Sequence, residues 1–135
     1  MNHKPMLNAY PDSLGGNLGD IVTLLKTEAM QDVFSSFYIL PSLYHSDLDR
    51  GFSVIDYDLN EQLANREDLD QLKNMGIDLK LDFILNHASA QSPQFQDLVE
   101  KGEASAYRDF FIDWNRFWEG HGLSLIHISE PTRPY

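Results

Sequence analysis

Three polar residues, Asp82, Asn86 and His87, close an apolar run over Leu79–Leu85. The run alternates in hydrophobicity and predicts a buried strand that ends in a carboxylate, an amide and an imidazole. Ionisable groups beside an apolar strand need partners or a ligand, and α/β folds bind ligands outside the carboxyl ends of their strands. A ligand-facing site is one explanation of the cluster. Taken alone, the pattern favours a structural network in which Asp82 bonds backbone amides and His87 is a satisfied surface imidazole.

A second candidate cluster lies in Ser46–Phe52, where Asp49, an arginine and Phe52 fall within four residues. Carboxylates accept paired hydrogen bonds from vicinal hydroxyls, and an aromatic face covers the apolar face of a sugar ring. These residue types together predict a sugar site. An acidic turn in which Gly51 supplies an unusual φ explains the same residues equally well.

Other patterns carry less information. The triplet Asp56–Asp58 is typical of a metal or sugar site, but more often of a solvated loop. His45 and His121 lack the spacing of metal ligands and are expected on the surface. The glycine-rich Gly15–Gly19 is not GxGxxG and has no P-loop lysine, which argues against a nucleotide site.

The elements that must position these residues alternate between strand and helix. Stretches rich in β-formers predict three strands, at about Met6–Tyr10, Val33–Leu40 and Leu79–Leu85. Helical spacing after Asn17 and after Asn65, both good N-cap residues, predicts the helices between them. A long loop is expected from Pro41 to about Asn60. Strands alternating with helices predict a parallel sheet with right-handed crossovers.

Beyond His87 the pattern changes. Short helices are expected at Ser92–Glu100 and Ser105–Phe111, and the aromatic-dense Phe110–Trp118 is typical of a segment that covers a sheet or lines a pocket.

The terminal Leu123–Tyr135 fits nothing before it and looks like a translated transposon-end sequencing adaptor. We therefore expect part of a single domain over residues 1–122 and a non-native tail over 123–135.

Composition limits the class of protein. The 135 residues are 42% hydrophobic and carry Lys+Arg 10 against Asp+Glu 21, a net charge of −11. The acidic balance argues against nucleic-acid or anionic-membrane partners, and the absence of cysteine excludes disulfides and thiolate metal sites. No segment has the roughly 20 apolar residues of a membrane span or the apolar core of a signal peptide. A cytoplasmic protein is expected.

Four blocks occur in an order that points to a known family: Pro11–Leu18, Ile39–Ser42, Asp49–Tyr57 and Asp82–His87. Over about Met6–Gly120 the chain resembles the N-terminal part of sucrose phosphorylases and related glucosyl phosphorylases of the α-amylase superfamily, glycoside hydrolase family 13. The Asp-x-x-x-Asn-His block is common to that superfamily, whereas the Asp-Arg-Gly-Phe block is narrower. The resemblance implies an α/β fold, the first three strands of a (β/α)₈ barrel and the start of the insertion after the third.

The resemblance also implies roles for the candidate residues. Asp49 and His87 would hold the hydroxyls of the transferred glucosyl unit, and Phe52 would form a wall of that subsite. Asp82 and Asn86 would orient the site. The expected partners are a sugar substrate and inorganic phosphate, with no metal and no cofactor.

The implied chemistry is retaining transfer, in which a carboxylate nucleophile forms a glucosyl-enzyme ester and phosphate releases α-glucose 1-phosphate. The catalytic carboxylates would lie on strands four, five and seven, so none is assigned here, and this chain is expected to be an inactive fragment of the enzyme. Two alternatives stay open. One is a hydrolase or transglucosidase of the same superfamily, and the other is a non-catalytic barrel relative that acts as a binding protein.

Overall fold

The structure is a computed structural model of the chain and describes residues 3–41, 43–47 and 50–119. The predicted tail at 123–135 lies outside the described residues. The chain divides into two compact units, Met1–Gln96 and Asp97–Tyr135. The helices and strands are β1 Met6–Ala9, α1 Leu18–Leu25, β2 Ser36–Ile39, β3 Tyr44–Ser46, β4 Val54–Leu59, α2 Arg66–Asn74, β5 Asp78–Leu81, α3 Pro93–Lys101 and α4 Trp114–Trp118.

Both long helices of the first unit begin where the sequence predicts. The side chain of Asn17 accepts a hydrogen bond from the backbone N–H of Asp20, and the Asp20 carboxylate accepts one from the Asn17 N–H. Asn65 and Asp68 form the same reciprocal capping box at the start of α2. Each box satisfies backbone donors that have no partner inside the helix, so both predicted N-caps are confirmed.

A parallel sheet of order β1-β2-β5 forms the centre of this unit, as the alternation of strands and helices predicts. Phe37 on the middle strand pairs in register with Leu7 and Leu79 and is fully buried. Burying a phenylalanine side chain contributes about 1.5–3 kcal/mol. The core includes residues of α1 and α2, namely Leu18, Ile21, Val22, Leu25 and Leu72.

The third strand is shorter and more exposed than predicted. It ends at Leu81, which pairs with the last residue of β2, Ile39. The chain after β2 reaches Pro41, which has no N–H to extend a ladder, so the pairing stops there. The expected buried face of Leu79–Leu85 is therefore wrong beyond Leu79: Leu81 is 40% exposed and Leu85 is 75% exposed. In the described sheet, β5 pairs with β2 alone.

The predicted loop from Pro41 to Asn60 contains an antiparallel hairpin of β3 and β4. Ile55 and Leu59 alternate with aspartates along β4, which is the pattern of a strand. Because aspartate is depleted in strands, its presence argued against a strand here.

The second unit contains α4 and a short 3₁₀ helix, Gly102–Ala104. The helix predicted over Ser105–Phe111 is wrong, because this stretch forms turns with i to i+3 bonds, such as Arg108 N–H to the Ser105 carbonyl at 3.3 Å. The Ser105 hydroxyl oxygen also accepts from the Tyr107 N–H at 3.0 Å, a local bond that competes with a helix.

Candidate functional site

A cavity of about 320 Å³ lies in the first unit, lined by the connection between β3 and β4 and by the segment that follows β5. Phe52 reaches it from the connection between β3 and β4, and His87 reaches it from the segment that follows β5. Among the described residues, Ser53 and Ala88 also line it. Two residues predicted to act together from distant parts of the sequence therefore share one cavity. Its volume is at the small end of the roughly 300–1,000 Å³ of ligand pockets, which suits one sugar ring better than a long chain.

The segment that carries His87 is tied to the hairpin at both ends. The backbone N–H of Ser89 donates to the carbonyl of Val54 at 2.7 Å, and the Ser89 hydroxyl donates to the Asp47 carboxylate. At the other end, the Tyr57 hydroxyl donates to the backbone carbonyl of Ile84. Ser89 is 1% exposed, so its bonds are shielded from water. These contacts fix the two walls of the cavity relative to each other.

Three aromatic rings pack beside this tie. Tyr57 stacks on Phe83 with ring centroids 4.4 Å apart and an interplanar angle of 21°. Tyr44 meets both rings edge to face, at 5.6 Å and 6.2 Å. Such pairs contribute about 0.5–1.5 kcal/mol each beyond the area they bury. The rings hold the chain after β5 against the hairpin although no ladder continues there.

Asp82 accepts a hydrogen bond from the hydroxyl of Tyr38 on β2 at 2.5 Å, so its partner is a side chain and not the backbone amides of the structural alternative. The bond to Asp82, followed by burial, raises the pKa of Tyr38, which keeps the hydroxyl a donor. Lys80, the register partner of Tyr38, places its ammonium 4.1 Å from the centre of that ring. Asp82 is half-buried, and this set orients its carboxylate at the edge of the sheet.

Less structural detail is available for the other candidate residues. The side chains of Asn86 and His87 are exposed. Asp49 lies outside the described residues, so its role stays a prediction. Asp56 of the acidic triplet lies on β4 and pairs with His45 Nδ1 at 2.7 Å.

Among the described residues, no group of three or more His, Asp or Glu side chains is placed to hold a metal ion. The expected absence of a metal and of a cofactor stays a prediction. Sequence reasoning missed Tyr38, whose hydroxyl bonds Asp82, and it missed Asp47 and Ser89, whose bond ties the segment that carries His87 to the hairpin. No local signal marks them, because each pairs with a residue more than 40 positions away.

The comparisons with known proteins agree with this architecture. The profile of the alpha-amylase catalytic domain matches residues 9–127, and the chain belongs to the alpha-amylase family. The resemblance inferred from the sequence motifs is thereby confirmed, and so is the fold class, part of the (β/α)₈ barrel of that family.

Several relatives within the family that resemble this chain are phosphorylases. The chain is 59% identical over 120 residues to sucrose 6(F)-phosphate phosphorylase of Ilumatobacter coccineus and 40% identical over 118 residues to sucrose phosphorylase of Streptococcus mutans. These matches cover 89% and 86% of this chain, but only 23% and 24% of the relatives. The crystal structure of the sucrose 6F-phosphate phosphorylase from Thermoanaerobacter thermosaccharolyticum superposes with a TM-score of 0.80 at 37% identity, covering 88% of this chain and 24% of that one.

The chain thus spans about a quarter of the length of these relatives. None of the helices in the described part of the chain combines the length and apolar character needed to cross a membrane.

Proposed function

We propose that this chain supplies the glucosyl-binding part of a retaining phosphorylase that converts an α-glucoside and inorganic phosphate into α-glucose 1-phosphate. The observation that carries the proposal is the cavity that Phe52 and His87 share. An aromatic wall and an imidazole on a pocket of single-ring size are what a sugar subsite requires. The identity of 59% to a phosphorylase supports the same reaction class.

Each site residue has a proposed role. His87 and Asp49 hydrogen-bond the hydroxyls of the transferred glucosyl unit, and Phe52 covers the apolar face of its ring. Asp82, held by Tyr38, orients the edge of the site together with Asn86. Hydrogen bonds that tighten as the ring flattens toward an oxocarbenium-like transition state would accelerate the reaction.

The catalytic carboxylates are proposed to come from protein outside this sequence, because none is assigned among residues 1–122. The nucleophile would form a glucosyl ester, an acid would protonate the leaving fructosyl oxygen, and phosphate would attack the ester in place of water. No metal or cofactor takes part in the proposal. A cytoplasmic location stays a prediction.

The preferred donor is proposed to be sucrose 6(F)-phosphate, ahead of sucrose, because the relative that is 59% identical is named for it. The test uses the full-length enzyme that carries this sequence. Each donor is incubated with and without inorganic phosphate, and glucose 1-phosphate and free glucose are measured. Phosphate-dependent glucose 1-phosphate release supports the proposal.

Two results would assign the protein otherwise. Release of free glucose that phosphate does not affect would indicate a hydrolase of the family, and phosphate-independent transfer of the glucosyl unit to a second sugar would indicate a transglucosidase. Sugar binding without turnover of any α-glucoside would indicate a non-catalytic relative.

A further inference from the structure

Arg50 has a backbone conformation that arginine rarely adopts. Its φ is 53°, in the left-handed region, and the buried Gly51 that follows has a φ of 107°. Side chains disfavour this region, and such residues persist where the surrounding contacts hold them. The turn leads directly to Phe52, which forms a wall of the cavity.

The contacts that hold Arg50 come from the turn after β1. Its Nη2 donates to the Asp12 carboxylate at 2.5 Å, and its guanidinium lies 4.1 Å from the centre of the Tyr10 ring. That turn is itself closed by two bonds between Tyr10 and Ser13, of 3.0 Å and 3.1 Å. A planar guanidinium can pair and stack at once, which a lysine cannot do. Arg50 therefore joins the carboxyl end of β1 to the loop that carries Phe52.

We infer that Arg50 is a positioning residue, which holds Phe52 at the wall of the cavity by clamping its loop onto Tyr10 and Asp12. The inference rests on the proposed function only in that the cavity receives the glucosyl unit. The Arg50 and Asp12 side chains are 56% and 40% exposed, and surface ion pairs contribute little to stability. Loss of the clamp should therefore lower kcat/KM strongly while changing the unfolding temperature little.

The main test is Arg50→Asn in the full-length enzyme. Asparagine tolerates the left-handed region, so this variant keeps the turn and removes both clamp contacts. Displacement of a reacting ring by about 1 Å costs on the order of 10²-fold in rate, so we expect kcat/KM to fall about 10-fold or more while the unfolding temperature stays within about 2 °C. Arg66→Asn, at an exposed arginine on α2, is the matched control and should leave kcat/KM unchanged.

A charge exchange tests the pairing directly. Asp12→Arg and Arg50→Asp should each lower kcat/KM, and the double variant should recover part of the loss, because the ion pair returns while the stacking on Tyr10 does not. Strictly additive losses would contradict the clamp. Rates are compared with phosphate or with water, whichever acceptor the parent enzyme uses, so an error in the proposed acceptor leaves this test intact.

A second readout does not need turnover. With 4-fluorophenylalanine at position 52, Arg50→Asn should shift or broaden the fluorine resonance, and Arg66→Asn should not. An unchanged resonance, or an unchanged kcat/KM in an active parent, overturns the positioning role of Arg50. An inactive parent with a shifted resonance would refute the proposed function and leave the clamp standing.

Discussion

Removing the ring of Phe52 gives a loss that can be calculated from its exposure. The residue is 46% exposed, and a phenylalanine side chain offers about 200 Å² in total, so about 90 Å² is available to a ligand. At about 25 cal/mol per Å², burying all of that area contributes about 2.3 kcal/mol, or about 40-fold in kcat/KM. Phe52→Ala in the full-length enzyme should therefore lower kcat/KM by up to this factor. Phe52→Tyr keeps the ring and should remain near the parent value.

The assay is initial-rate phosphorolysis of the preferred donor, with the unfolding temperature measured on the same samples. Phe110→Ala is the matched control, because this phenylalanine is 63% exposed and belongs to the second unit. Its kcat/KM should stay within about 2-fold of the parent, since surface substitutions usually change little. If Phe52→Ala also stays within about 2-fold, the ring does not contact the glucosyl unit and the sugar-subsite reasoning is refuted.

Two further predictions concern single side chains in the same enzyme. Asp49→Ala and His87→Ala should each lower kcat by roughly 10²-fold or more with the fold intact, because they remove bonds that tighten in the transition state; near-normal kinetics would remove that residue from the site. Gly15→Ala should destabilise the enzyme by about 1–3 kcal/mol in thermal unfolding, because the new Cβ would lie 2.4 Å from Asp20 Cβ and break the capping box of α1. The control Gly16→Ala has 3.6 Å to its nearest neighbour, and an equal loss there would contradict this reason.

The parts of the fold that were predictable depend on local sequence. Asn17 and Asn65 mark helix starts because an N-cap and its partner three residues later form a self-contained unit. The parallel order follows from the alternation of elements. The end of the third strand was not predictable, because it depends on the register with β2 and on Pro41, a residue distant in sequence.

The candidate site likewise has a part that the sequence predicted and a part that it did not. Residue types and spacing left the roles of Phe52 and His87 open, and the family resemblance was what predicted that they share a site; the structure places both on one cavity. The partners of the candidate residues could not be predicted. Tyr38 reaches Asp82 only because β2 and β5 pair in the register that places Tyr38 beside Lys80. That register cannot be deduced from a single amino-acid sequence. Pairs that join distant elements need the fold before they can be inferred.

The last prediction concerns residues 1–122 on their own. Within the described sheet, the outer strands β1 and β5 each pair on one edge only, and an open edge is a template for pairing with other chains. Parallel strands are stable mainly when both faces are covered, yet Phe83 and Leu85 beyond β5 are 56% and 75% exposed. Three parallel strands cannot close a barrel. We therefore expect this segment to be poorly folded or prone to aggregate when expressed alone.

The same segment should show no glucosyl transfer, because the proposed site contains groups that bind and orient the sugar but no assigned nucleophile or acid. The measurement is thermal unfolding and size-exclusion chromatography of residues 1–122, together with release of glucose 1-phosphate from both donors. A cooperative transition in a monomer would show that the open edges and exposed rings are tolerated, and would refute the folding argument. Turnover above a protein-free blank would refute the predicted inactivity, since it would place a catalytic carboxylate within this chain.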